Sequence, residues 1–466
     1  GYLVVWEDRA TRTATIRLPV AIVHAMQESG ADPVLFLTGG PGSGSLAPAA
    51  FPGAYPWTES RDFIVFGQRG TQHALPSLEC PEIEGAFSDS YARITGPERD
   101  AMLAAGAAAC RSRLEAMGVD LSAYHTDATT EDVVDLAEVL GEESLALFGL
   151  SYGTRVALDL ARDHPGLVSA MVLDSPLPPD VRYDDESARN FRLSLEGVAA
   201  DCAALPACSR AFPDLGELFF AALRGAESDP ITLVLDDGPG RVELDGARLA
   251  ALVNTGSPDG IRSAPLAMHA IASGDVSRIR GLVSTEYSGS GFAWGMRLSV
   301  WCSEAWPFSE RSSALGPDDA FLGYESAAVP PVLCERWDVP ARPEVFVNPV
   351  RSRVPTLLIA GEFDPATPPS WAIHADSLLA HSVAITIPGA GHTPSVEWGG
   401  DGCAMRLAAA FVADPLRFLE GEAVPDCLRE IDRPDYRLSP PAGGIDREEE
   451  GLARRLAHEG RSLTRR

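Results

Sequence analysis

Short runs of consecutive apolar residues recur along the chain, each closed by glycine or a charged turn. They are Pro33–Thr38 (PVLFLT), Asp62–Phe66 (DFIVF), Ser144–Gly149 (SLALFG), Val168–Asp174 (VSAMVLD), Val354–Ala360 (VPTLLIA) and Val383–Ile387 (VAITI). Runs this short, with no polar alternation, fit strands buried on both faces. Thr13–Ala25 alternates and then turns apolar, which predicts an edge strand entering the sheet. Between the runs, Thr129–Leu140 has a cap-like Thr, early acids, apolar residues at helical spacing and Gly141 as a stop. Tyr152–Arg162 reads as helix up to His164-Pro165. Strands alternating with helices predict an α/β fold with a mostly parallel, doubly wound sheet.

The rhythm breaks between Pro178 and Pro349, where Asn190–Leu223 and Ala247–Ala272 have helical periodicity. The expected organisation is a core over 1–177, an inserted helical cap over 178–349, the rest of the core over 350–445 and a charged tail over 446–466. No apolar run approaches the roughly 20 residues that a membrane-crossing helix needs.

Charge narrows the partners. The net charge is −28 and the chain has no lysine, so phosphate-rich surfaces, whether nucleic acid or anionic membrane, would be repelled. GC-rich coding explains the absent lysine as well as a halophilic surface does. The eight cysteines fall as neighbouring couples: Cys80 and Cys110, Cys202 and Cys208, Cys302 and Cys334, Cys403 and Cys427. None has zinc-site spacing, so neither metal nor cofactor is expected. The even count points to disulfides and an oxidising compartment, although sequence alone leaves the connectivity open. The chain starts at Gly1 rather than methionine, which would suit a removed leader, though a trimmed chain would begin the same way.

Against this background, Gly149-Leu150-Ser151-Tyr152-Gly153 is G-x-S-x-G between a predicted strand and a predicted helix. That context is what a nucleophile elbow requires, since the sharp turn lifts the hydroxyl above the carboxyl end of the sheet. A serine hydroxyl needs a base, and the base an orienting acid. Asp364, in the loop after VPTLLIA, and His392, in the loop after VAITI, complete the order Ser, Asp, His expected of such sheets. Asp174 is a weaker candidate acid at the end of another strand. His73 and His125 lie in loops with no such pattern. For the developing oxyanion, the candidate donors are the N–H of Tyr152 and that of Gly40, in the glycine-rich turn after PVLFLT. The same turn lacks the Lys and Ser/Thr of a phosphate loop.

The motifs GGPG (Gly39–Gly42), GQRGT (Gly67–Thr71), GLSYGTR (Gly149–Arg155), GEFDPATPP (Gly361–Pro369) and GAGHT (Gly389–Thr393) resemble the α/β-hydrolases that include prolyl iminopeptidases and secreted tripeptidyl aminopeptidases. The likeness extends to VLDSPLPP (Val172–Pro179), CAALPACSRAFP (Cys202–Pro213) and the TAP-like C-terminal segment. It implies Ser151, Asp364 and His392 as the triad, Gly40 and Tyr152 as oxyanion donors, and disulfides Cys302–Cys334 and Cys403–Cys427. It also implies that Arg69 braces loops behind the site, and that acidic cap side chains grip a substrate's free amine. Glu304 and Glu335 are candidates for that grip, although most glutamates in a chain with 66 acids are simply solvated. Thr38, Gln72 and Ala74 depart from the family's usual residues, which leaves room for esters or lactones beside small peptides as substrates. The expectation is an exported aminopeptidase working through an acyl-enzyme, with carboxylesterase or lactonase as the alternative. Oligomeric state has no signal in the sequence.

Overall fold

In the computed structural model the strands run β1 (Tyr2–Trp6), β2 (Thr15–Val23), β3 (Val34–Leu37), β4 (Phe63–Phe66), β5 (Leu145–Leu150), β6 (Val168–Asp174), β7 (Ile231–Val234), β8 (Arg241–Leu244), β9 (Thr356–Gly361) and β10 (Ser382–Ile387). The structure describes residues 1–439 except 28, 91–95, 236–239, 287–291, 311–320, 323–328 and 397–401. The charged tail expected at 446–466 therefore lies outside the described residues.

Eight strands form one sheet in the order β1-β2-β4-β3-β5-β6-β9-β10. Pairing is parallel from β4 through β10 and antiparallel for β1 with β2 and β2 with β4. The segment expected at the edge, Thr13–Ala25, is thus second from it, because Tyr2–Trp6 pairs along its outer side. The central strands are buried at every position. Leu35, Leu147, Leu173 and Leu358 pack on one face, and Phe36, Phe148, Val172 and Leu357 on the other. With both faces covered there is no solvent side to demand polar residues, so these strands read as continuous apolar runs.

The stretch between β6 and β9 is mostly helical and has a hydrophobic cluster of its own, built on Leu195, Val198, Phe219, Leu249 and Met268. The helix expected over Asn190–Leu223 is in fact three: Tyr183–Ala204, Pro206–Ala211 and Leu215–Ser228. Pro206 opens the second, where a proline N–H is not needed. Ala247–Ala272 likewise divides into Gly246–Ala251 and Pro258–Ala272, the latter capped by Ser257. A two-stranded antiparallel ribbon, β7 with β8, sits among these helices. Among the described residues, no helix is long and apolar enough to cross a membrane.

Four disulfides join Cys80 to Cys110, Cys202 to Cys208, Cys302 to Cys334 and Cys403 to Cys427. Behind the sheet, the guanidinium of Arg69 is fully buried and makes a two-pronged pair with Asp132, at 2.8 and 2.7 Å. It also donates to the carbonyls of Glu7 and Ala123, tying the first strand to the loop before the helix Thr126–Leu140. That helix begins earlier than Thr129. His125 is its cap, with Nδ1 accepting from the N–H of Ala128.

Candidate active site

Ser151 sits between the last residue of β5 and the first of the helix Tyr152–Asp163, with φ 51° and ψ −121°. Positive φ is costly for a residue with a Cβ, and the surroundings hold it. The N–H of Ser151 donates to the Asp174 carbonyl at 2.9 Å, and the Ser151 carbonyl accepts from the Thr154 N–H at 2.9 Å. The turn closes only because Gly153 lacks a side chain: a Cβ there would lie 2.1 Å from the Leu37 carbonyl oxygen. Tyr152 opens the helix, so its N–H is among those without a partner inside the helix. The other candidate oxyanion donor, Gly40, lines the same cavity as Ser151. Its neighbour Gly39 packs so closely that a Cβ would fall 2.9 Å from the Cβ of Ser151.

Asp364 lies in the turn after β9 and is buried. Its Oδ1 accepts from the N–H groups of Ala366 and Thr367 at 2.8 and 2.9 Å, an Asx-type turn. Its Oδ2 accepts from Ser175 Oγ and Thr367 Oγ1 and faces His392 Nδ1, each at 2.8 Å. Burial, the largest influence, works to raise the carboxyl. The charge and hydrogen bond of His392, with the bonds from Thr367, outweigh it and hold Asp364 below the ordinary carboxylate range. His392 follows β10. Its loop is pressed against that of Asp364 at Gly361, where a Cβ would meet the Gly391 carbonyl oxygen at 1.8 Å.

Ser151 and His392 line one cavity of about 360 Å³, together with Gly40, Leu177, Tyr183, Phe292, Arg297 and Trp301. The arrangement joins a hydroxyl at the elbow, an imidazole oriented through Nδ1 and a glycine-rich turn around one cavity, the kinds of group that acyl transfer uses.

Asp174, the alternative acid, is not beside His392 Nδ1. Its Oδ2 accepts from the N–H of Ser395 at 2.9 Å and from Ser395 Oγ, and burial pushes its pKa up to about 7. Thr367 and Ser175, which brace the acid, and Ser395, which braces Asp174, are not among the sequence candidates.

Glu304 and Glu335 stand apart from this cavity. Glu304 is buried, accepting from the N–H and Oγ1 of Thr126 and paired with Arg155 at 3.3 Å. Glu335 is exposed on the helix Pro331–Trp337. Their nearness in sequence to Cys302 and Cys334 did not carry them to the site, because the disulfide faces the core. One trio of metal-type ligands occurs among the described residues, Cys80, Glu82 and Cys110, and its two sulfurs are joined to each other.

With this sheet, this elbow and this order of site loops, the chain has the α/β-hydrolase fold. Residues 32–212 match the family model for the alpha/beta hydrolase fold, and residues 322–417 that for TAP-like protein. The serine protease Hip1 of Mycobacterium tuberculosis is 24% identical over 340 residues, covering 64% of this chain and 61% of that protein. The putative hydrolase YuaR of Escherichia coli is 23% identical over 185 residues, covering 38% of this chain and 35% of YuaR. The chain thus spans less than two thirds of the length of the Hip1 relatives it matches. A solved thermophilic esterase from Thermogutta terrifontis superposes with a TM-score of 0.38 at 16% identity, over 91% of this chain and 99% of the esterase.

Proposed function

We propose that the protein is a serine hydrolase that cleaves an acyl bond in two steps. Ser151 is the nucleophile, His392 the general base that takes the hydroxyl proton and then the acid that gives it to the leaving group, and Asp364 the group that orients the imidazole and stabilises its positive charge. The N–H groups of Gly40 and Tyr152 receive the oxyanion of each tetrahedral intermediate. Water then enters, His392 takes its proton, and the acyl group leaves Ser151. The observation that carries this reading is the Asp364–His392 contact at 2.8 Å on a fully bonded buried carboxylate, with Ser151 in the strained elbow of the same cavity.

The substrate in this reading is a peptide, cleaved to release a short N-terminal piece, and the helical stretch 178–349 is the cap that walls the acyl site. The family match and the protease name of Hip1 support a peptidase. Four disulfides support an exported protein. A second reading, carboxylesterase or lactonase, is favoured by the aromatic walls Tyr183, Phe292 and Trp301, which would suit an uncharged acyl group.

A fluorophosphonate probe is expected to label Ser151 in the folded protein. Turnover of peptidyl arylamides by the wild type, and not by S151A, would support the peptidase. Turnover of esters and lactones alone would install the second reading, and an unlabelled Ser151 would remove both.

A further inference from the structure

Given acyl transfer at Ser151 as proposed above, its rate depends on how firmly the turns carrying Asp364 and His392 are held against each other. The 2.8 Å contact between those two side chains is doubled a few residues upstream. Glu362, two residues before Asp364, accepts at Oε2 from the N–H of Gly389, three residues before His392, at 2.7 Å. Main chain continues the seam: the N–H of Glu362 donates to the Ile387 carbonyl at 3.1 Å, and that of Phe363 to the Ala390 carbonyl at 2.8 Å. One carboxylate thus spans both turns from outside. It is only partly buried, so water competes for its bonds.

A guanidinium holds it in place. Arg433 Nη1 donates to the same Oε2 at 2.6 Å, and Arg433 Nε donates to Asp201 Oδ1 at 2.7 Å. Asp201 is buried on the helix Tyr183–Ala204, and its Oδ2 accepts from the Tyr436 hydroxyl at 2.7 Å. The segment that carries Arg433 crosses between two apolar clusters. Ile431 packs on the cluster of one sheet face, and Tyr436 lies in that of the helical stretch. Pro434 closes on the histidine turn itself, since a Cβ on Gly389 would meet its Cδ at 2.8 Å. With the segment anchored on either side, the guanidinium reaches Glu362 with little freedom left to lose.

We propose that Glu362 is a positioning residue for the Asp364–His392 pair, and that Arg433 acts through it by keeping its carboxylate on the Gly389 N–H. Neither residue touches the reacting atoms. Their effect is to keep the two turns in register.

The readout is the rate at which a fluorophosphonate probe labels Ser151 in the purified full chain, a step that uses the triad whatever the natural substrate is. The maximal labelling rate is expected to fall on the order of tenfold in E362A, with the probe's half-saturating concentration little changed. E362Q keeps a carbonyl oxygen for the Gly389 N–H and should recover most of the loss. R433M should slow labelling about threefold, and R433M combined with E362A should be no slower than E362A alone. Thermal melts identify the folded samples. E362A labelled as fast as wild type overturns the proposal, as does a loss confined to half-saturation; losses that multiply in the double variant overturn the route through Glu362. Arg433 is exposed, so R433M remains decisive if E362A does not fold: labelling at the wild-type rate would overturn the proposal as well. An unlabelled wild type, by contrast, strikes the hydrolase reading on which the proposal rests.

Discussion

The carboxyl rim of the sheet and the helical stretch above it are held by different kinds of contact. On the rim, main chain meets main chain: Ser151 is tied to Asp174, Gly153 presses on β3, and Gly361 on Gly391. In the helical stretch, side chains do the fixing, as with the Trp301 indole on Asp184, the Trp371 indole on Glu186 and Arg297 on Gly40. Backbone contacts tolerate almost no change of residue, whereas side-chain contacts are exchanged one at a time. Residues on the rim and residues in the helical stretch are therefore under different constraints.

The largest expected effect is on the rim. S151A should lower kcat by about 10⁴-fold or more while leaving the melting temperature nearly unchanged; stopped-time assays beside a thermal melt would check this. D364N should cost less, about 10³- to 10⁴-fold in kcat, since Asp364 orients rather than reacts. T367V removes a hydroxyl bonded to Asp364 and 3.2 Å from His392 Nδ1. A hydrogen bond to a charged group is worth about 1.5–3 kcal/mol, so kcat should fall roughly 10- to 100-fold with little change in KM. If T367V raised KM instead, Thr367 would act on substrate binding and the division would blur.

In the helical stretch the expected signs reverse, with stability moving more than catalysis. Replacing both Cys302 and Cys334 with serine opens a crosslink with a sequence separation of 32. The cost should be about 3 kcal/mol by denaturant titration, with kcat changed less than by any rim substitution. A further effect lies in pH dependence. Asp174, ionising at about 7 when folded against an ordinary 3.8, binds a proton in the native state that the unfolded chain has released. Stability therefore falls as pH rises from about 4 to about 7. Asp364 is shifted the other way and lends stability that is lost as pH falls below 3.8. D174N should flatten the first slope and leave the second; melts at stepped pH would show whether it does.

The same division decides what could be read before any coordinates. Strands β3, β5, β6 and β9 announce themselves as unbroken apolar runs, and Ser151, Asp364 and His392 each follow such a run in a glycine-bearing turn. Tyr2–Trp6 was missed because its alternating exposure gives a weak signal at the start of the chain, with no preceding turn to mark it. Thr367 had a local cue, an Asp followed three residues later by Thr, the pattern of an Asx turn. Ser175 and Ser395 had none, since Ser175 reaches Asp364 and the histidine loop, and Ser395 reaches Asp174, across more than 180 positions. Arg297 had one: a lone cation in WGMRLSVW, three residues after one tryptophan and four before the next, on an otherwise apolar helix. Glu304 and Glu335 stand beside cysteines in the sequence, which says nothing about the direction a helix turns its side chains.

A main-chain contact also crosses the division. The N–H of His392 donates to the carbonyl of Gly256 at 2.9 Å, and a Cβ on Gly391 would strike that same carbonyl at 2.7 Å. The imidazole's loop is thus moored to the covering helices as well as to the sheet. Whatever displaces the covering stretch at residue 256 would therefore be felt at once in the loop that carries the imidazole.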